Sequence, residues 1–179
     1  MAEVRRQQQA AYLMLFLGIA ALSLFIRLLP LGEMPVRFPA PDAVLALTMA
    51  WVVRRPDFLP ALSIVAVFLL EDLLLSRPPG LWALMVLAGT EFLRARNAML
   101  RGLGFWMEYL LVAAVMLAML LAYRLILAIV MVPPPPLGLS FLQFLGTVAV
   151  YPVVVAVSHF LLGVRKPATG EVDSLGQRL

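Results

Sequence analysis

Apolar residues along this chain come in long blocks, separated by short knots of proline, glycine and arginine. The blocks cover residues 10–31, 38–53, 56–75, 81–93, 105–132 and 139–164. None shows the strict alternation of a half-buried strand, and several approach the ~20 apolar residues that a helix needs to cross ~30 Å of hydrocarbon. The pattern therefore predicts six helical segments. Pro30, Pro35, Pro39 and Pro41 separate the first two, Arg54-Arg55-Pro56 the next, and Arg77-Pro78-Pro79-Gly80 the third from the fourth. The stretch from Arg94 to Gly104 precedes the fifth segment, and Pro133 to Pro136 end it. Proline lacks the N–H that the preceding turn would bond, so each knot stops a helix, and connections this short make consecutive helices antiparallel neighbours. The second segment is the weak one, because Asp42 to Val53 as a helix reaches only about 18 Å, which leaves a re-entrant helix as the alternative to a span. Pro41-Asp42 and Pro56-Asp57 open successive segments alike. An internal repeat is one reading of that echo; the other is that proline and aspartate suit the first turn of any helix.

Composition turns these segments into membrane spans. Of 179 residues, 63% are hydrophobic and 13% charged, and the mean hydropathy is +0.98. Soluble domains are about one quarter charged, and a chain this apolar needs lipid as its solvent. The fold expected is all-α, a polytopic transmembrane helical bundle of six spans forming one domain over 1–166, with a short tail at 167–179. The first block is longer than the apolar region of a secretory signal and no polar domain follows it, so it is read as a first span. The absence of cysteine excludes disulfides, thiolate metal sites and a cysteine nucleophile.

Charge sets the orientation. With six spans and an inside N-terminus, Arg5, Arg6, Arg54, Arg55, Arg94, Arg96, Arg101, Arg165, Lys166 and Arg178 lie inside. Arg27, Arg37 and Arg77 lie outside, and Arg124 falls within the fifth segment. This excess follows the positive-inside rule and predicts cytoplasmic termini. Omitting the second segment alone would move Arg54 and Arg55 beside Arg37 and spoil the balance.

Charges within apolar segments are the candidates for chemistry. Glu71 and Asp72, near the outer end of the third segment, read either as an ion or partner site or as interfacial carboxylates beside Arg77. Glu91 has Arg94 three residues on, the spacing of a helical ion pair. Glu108 stands in the first turn of the fifth segment, where an acid complements the helix dipole. Arg124 either snorkels to the outer headgroups or pairs with Glu71 or Asp72. His159, the single histidine, reads as a packing residue, and Trp51, Trp82 and Trp106 as an aromatic belt at the span ends. The ten methionines read as packing material. No nucleophile elbow, phosphate-binding loop or paired-histidine motif is present, so no catalytic, cofactor or metal residue is assigned. The basic stretch from Arg94 to Arg101 reads either as a site for anionic headgroups or acidic partners or as a topology signal that needs neither, and nucleic-acid binding has no support.

In order, Pro41-Asp42, the Arg54-Arg55-Pro56 break, Asp72-Leu73-Leu74, Pro79-Gly80-Leu81 and the basic stretch after them resemble the rod shape-determining MreD family. The similarity covers about 38–104, and the tail from Glu171 to Leu179 resembles that of alphaproteobacterial members. Phe68-Leu69-Leu70-Glu71 departs from the glycines that members place before the aspartate. The resemblance implies a non-enzymatic, cofactor-free protein of the bacterial inner membrane. Its partners would be a single-span MreC-type protein and, through it, the MreB filament and the lateral-wall peptidoglycan synthases. It also implies a likeness to the substrate-binding subunit fold of energy-coupling-factor transporters. Asp72, Pro79 and Gly80 carry over as partner-contact positions, with Glu71 and Arg124 beside them. Ala113, Ala114, Ala118, Gly146 and Ala149 are close-approach candidates for a helix–helix contact. The alternative is a vitamin-type uptake subunit with an outward polar pocket around Glu71, Asp72 and Arg124.

Overall fold

A twelve-residue helix that touches almost nothing but protein organises this molecule. In the computed structural model, which describes residues 2–29, 39–160, 162 and 164 (backbone alone for 2–5 and 101), every residue from Val44 to Arg54 is buried. The seven α-helices among the described residues are α1 (Ala2–Leu28), α2 (Ala43–Arg54), α3 (Ala61–Leu74), α4 (Leu81–Ala95), α5 (Asn97–Gly102), α6 (Phe105–Ile129) and α7 (Leu137–Phe160). A single 3-10 turn, Pro56–Phe58, links α2 to α3, and the described residues contain no strand. The helices overlap all six apolar blocks. α1 stops at Leu28, α6 stops at Ile129 and α7 runs from Leu137 to Phe160, so the ends differ from the sequence limits by a few residues. Arg37, Arg165, Lys166, Arg178 and the 167–179 tail lie outside the described residues.

α1, α6 and α7 are each long and apolar enough to cross a membrane, and they mark the chain as a membrane protein. Their outward faces carry large apolar side chains such as Met14, Phe25, Leu110, Leu125 and Phe160, all exposed. α2 is packed among α1, α4 and α7, α3 and α4 form a tight hairpin, and α6 lies against α4 and α7. Two glycines let backbones approach. A Cβ on Gly89 of α4 would sit 2.5 Å from Met119 Sδ of α6, and one on Gly146 of α7 would sit 3.2 Å from Pro41 Cγ. Of the alanines proposed for close approach, Ala114, Ala118 and Ala149 are exposed.

The connections are specified by local chemistry. Asp42 caps α2 by accepting the Leu45 N–H at 3.0 Å. After Arg55 donates its N–H to Trp51 O (2.7 Å), Pro56 cannot extend the helix and opens the 3-10 turn. α3 and α6 both end in a Schellman motif. Ser76 takes φ 55° while the Arg77 N–H bonds to Asp72 O at 2.9 Å. Met131 takes φ 57° while the Val132 N–H bonds to Leu127 O at 2.9 Å. Pro133 to Pro136 then carry the chain over to α7.

Trp51 is not part of an aromatic belt. Its indole is fully buried, lies 5.9 Å from the Tyr12 ring and donates to Ser158 Oγ at 3.0 Å. Trp106, by contrast, is 73% exposed. Position near a segment end does not distinguish the two; α2 is enclosed by neighbours and the start of α6 is not.

Candidate functional site

The antiparallel helices bring their charges together at two ends of the bundle. Each end closes one terminus of α2.

At the first end, Arg27 in the last turn of α1 reaches two carboxylates from other elements. Its Nη1 is bonded to Glu71 Oε1 of α3, and its Nη2 lies 3.2 Å from Asp42 Oδ1. Asp42 and Glu71 are buried and Arg27 is largely covered. The Asp42 N–H donates to Thr147 Oγ1 of α7 at 2.9 Å, and Thr147 in turn donates to Gln143 O at 2.8 Å. Four helices are thereby joined around one guanidinium. Glu71 thus finds its cation in Arg27, a residue that the sequence reading used only to set orientation.

Asp72, the next residue, does a separate task. Its backbone carbonyl closes α3, while its buried carboxylate accepts the N–H groups of Trp82 (3.1 Å) and Ala83 (3.2 Å) at the start of α4. The side chain caps a helix eleven residues away, complementing the positive end of its dipole. Pro79 and Gly80 lie in the turn this cap spans. Gly80 has φ 82°, a left-handed conformation that glycine adopts without the cost of a Cβ. The second carboxylate oxygen, Asp72 Oδ1, is buried without a hydrogen-bond partner among the described residues.

Arg124 of α6 pairs with neither Glu71 nor Asp72. Its Nη1 donates to Pro135 O at 2.8 Å and to Ser140 Oγ at 3.2 Å, which ties the α6–α7 connection to its own helix. Arg124 also lines a cavity of about 120 Å³ shared with Asp42, Arg77, Trp82, Gln143 and Phe144. The five residues singled out for partner binding therefore fall into three local sets: Glu71 with Arg27, Asp72 with Pro79 and Gly80, and Arg124 at the cavity.

The second end contains an ion pair that sequence reasoning missed. Arg54 is not a loop charge: it sits buried in the last turn of α2, with Nη1 2.7 Å from Glu108 Oε1 of α6. Glu108 does lie in a first helical turn, but it is buried and also accepts the Tyr151 hydroxyl of α7 at 3.1 Å. Arg54 Nη1 lies a further 3.4 Å from Tyr151 Oη and from Ala50 O. The available signal was helical spacing from an apolar run, since Arg54 continues the α2 pattern without a break. Around this centre, Arg94 donates to Leu59 O at 2.7 Å and lies 3.4 Å from Glu91, and Tyr12 donates to Leu162 O at 2.8 Å. His159 is half-buried against the Phe160 ring.

A third feature lies on the flank. A crevice of about 240 Å³ runs between α1 and α3 over α2, walled by Leu17, Ala20, Ala21, Leu24, Val67 and Leu70, with Arg27 and Glu71 at one end. Its surface is apolar and several of its side chains are small. Among the described residues no three histidine, aspartate or glutamate side chains gather into a metal-holding group. Searches of protein families, of curated proteins and of solved structures returned no match to this chain.

Proposed function

We propose that this chain is a six-span, non-enzymatic scaffold of a bacterial inner membrane that holds a partner's transmembrane helix in the crevice between α1 and α3. The crevice is the observation that carries the reading. Without a hydrophobic driving force between helices in lipid, association relies on close packing, and Ala20 and Ala21 present the small side chains that allow it. Arg27 and Glu71 at its end offer a polar contact to a partner residue near the outer surface. The charge layout supports the orientation: Arg54, Arg55, Arg94 and Arg96 gather at one end of the bundle, Arg27, Arg77 and Arg124 at the other. The first of these ends would be cytoplasmic.

The short helices fit a six-span arrangement. α2, α3 and α4, of 12, 14 and 15 residues, reach about 18–23 Å. α2 would not need to match the bilayer, because protein surrounds it and both of its ends are clasped by buried charges.

The resemblance to the MreD family gives this scaffold its setting. The partner would be an MreC-type single-span protein, with the MreB filament and the lateral-wall peptidoglycan synthases behind it, and the role would be maintenance of cell shape. Glu71, Asp72, Pro79 and Gly80 are the positions assigned to the outer contact. Affinity purification of the tagged protein from its native membrane tests the proposal. Recovery of a single-span protein with a periplasmic coiled coil and wall synthases supports it, as does loss of that protein from an Ala21→Phe variant. Recovery of the chain alone, or with an ATPase pair and a bound vitamin, overturns it in favour of uptake.

A further inference from the structure

The cavity at the Arg27 end has hydrogen-bond donors that the described residues leave unused. Arg77 makes no side-chain hydrogen bond or ion pair among the described residues; its guanidinium lies 5.9 Å from the Trp82 ring centre. Among the described residues Arg124 uses only Nη1, and only on neutral acceptors, which leaves the rest of its five N–H donors unengaged by them. The indole N–H of Trp82, a wall residue, is buried with no acceptor among the described residues.

Two acceptors in the same wall are already engaged within the protein. Asp42 Oδ1 takes the Leu45 N–H and faces Arg27, and Thr147 Oγ1 takes the Asp42 N–H. The one carboxylate of the wall thus faces a cation outside it. Arg77 lies within electrostatic reach of Asp72 and Glu71, yet neither guanidinium of the wall forms an ion pair among the described residues. Unused donors beside low-dielectric walls are costly unless a ligand or water supplies acceptors.

The rest of the wall is mostly apolar, with Leu45, Met116, Leu120 and Phe144 beside the neutral polar residues Tyr123 and Gln143. A volume of about 120 Å³ holds a tetrahedral or carboxylate head with its first carbons, and nothing as large as a nucleotide.

We propose that this cavity binds an oxyanion, phosphate or carboxylate, carried on an apolar body. Arg77 and Arg124 supply the charge-assisted hydrogen bonds, and Leu120 and Phe144 pack the first carbons. Such a group comes either from an anionic membrane lipid or from a soluble acid. The site is separate from the crevice assigned to a partner helix, so it does not depend on the scaffold reading.

The test is a native mass-spectrometric titration of the full chain in detergent with dioleoyl phosphatidic acid. Dioleoyl phosphatidylcholine serves as the uncharged comparison, and inorganic phosphate and octanoate as soluble competitors. One equivalent of phosphatidic acid is expected to bind at least about tenfold more tightly than phosphatidylcholine. Arg124→Gln and Arg77→Gln should each weaken it about tenfold. Leu120→Phe, which fills the cavity and leaves both charges, should do the same, while Arg96→Gln at the opposite end should not. Displacement by phosphate or octanoate at millimolar concentration identifies a soluble acid as a source; lipid binding that resists both identifies the membrane. Should Arg124→Gln fail to fold, Arg77→Gln and Leu120→Phe carry the decision. Equal binding of the two lipids, or full retention of phosphatidic acid by these variants, overturns the proposal.

Discussion

Arg54 and Glu108 meet at 2.7 Å across the interface of α2 and α6, both buried, with the Tyr151 hydroxyl as a third member. A charge pair in this setting is costly to form and more costly to break, because removing one partner strands the other away from water. Glu108→Ala or Arg54→Ala should each destabilise the protein by about 3–5 kcal/mol. The double change to Met and Leu should recover much of that loss. Tyr151→Phe removes one hydrogen bond to a charged group and should cost about 1.5–3 kcal/mol. Equilibrium unfolding in mixed detergent micelles measures all four; a double variant whose loss equals the sum of the two single losses would contradict a coupled pair.

Asp72 separates a structural role from a partner role by the choice of substitute. Asp72→Asn keeps an acceptor for the Trp82 and Ala83 N–H groups and should lose well under 1 kcal/mol, whereas Asp72→Ala should lose about 1–2 kcal/mol. Under the scaffold reading, Asp72→Ala also loses the co-purifying partner. A stable Asp72→Ala protein that retains its partner would confine this residue to helix capping.

Gly89 is where α4 and α6 come closest. An added Cβ meets Met119 Sδ at 2.5 Å and Val115 Cγ1 at 3.2 Å. Since the thioether can swing aside, Gly89→Ala should cost about 1 kcal/mol and Gly89→Val about 3 kcal/mol. Met119→Ala should rescue Gly89→Ala, which the same unfolding measurement reads as a non-additive double variant.

Two residues with side chains occupy left-handed positions that glycine fills more cheaply. Met131→Gly removes a side chain that is 91% exposed, so no packing is lost, and should raise stability by up to about 1 kcal/mol. Ser76→Gly should behave alike. A fall in stability at either site would mean that the Schellman geometry does not hold there.

The cysteine-free sequence makes the six-span orientation directly testable. A single cysteine at exposed Arg96 should react with an impermeant maleimide only after the inner face is opened. One at exposed Pro135 should react in intact spheroplasts. The opposite pattern would invert the topology, and labelling of both from one side would remove a span.

What the sequence made legible was periodic: helical class, the apolar segments and the proline stops, each fixed by neighbours a few residues apart. The Glu91–Arg94 pair belongs here too, because helical spacing alone brings the two together. Pairings between elements were not legible. Arg54, Glu108 and Tyr151 are 43 to 97 residues apart, and nothing local tells Arg54, buried in α2, from Arg55, which is only half-buried. Arg27 looked like an orientation charge for the same reason, since its two carboxylates come from α2 and α3. Asp72 stood out as an intramembrane acid, but its use as a cap for α4 depends on the turn through Ser76 and Gly80 folding the chain back.

The enclosure of α2 has a consequence for how the protein meets different bilayers. Lipid thickness acts on a helix through the residues that touch acyl chains, by tilt or by local thinning. Exposed apolar side chains of that kind lie on α1, α3, α4, α6 and α7, whereas α2 is buried from Val44 to Arg54. The separation between the Arg27 and Arg54 clasps should therefore stay constant as acyl chains lengthen, while the outer helices change tilt around it. The protein carries its own ruler, set by twelve residues and independent of the membrane it sits in.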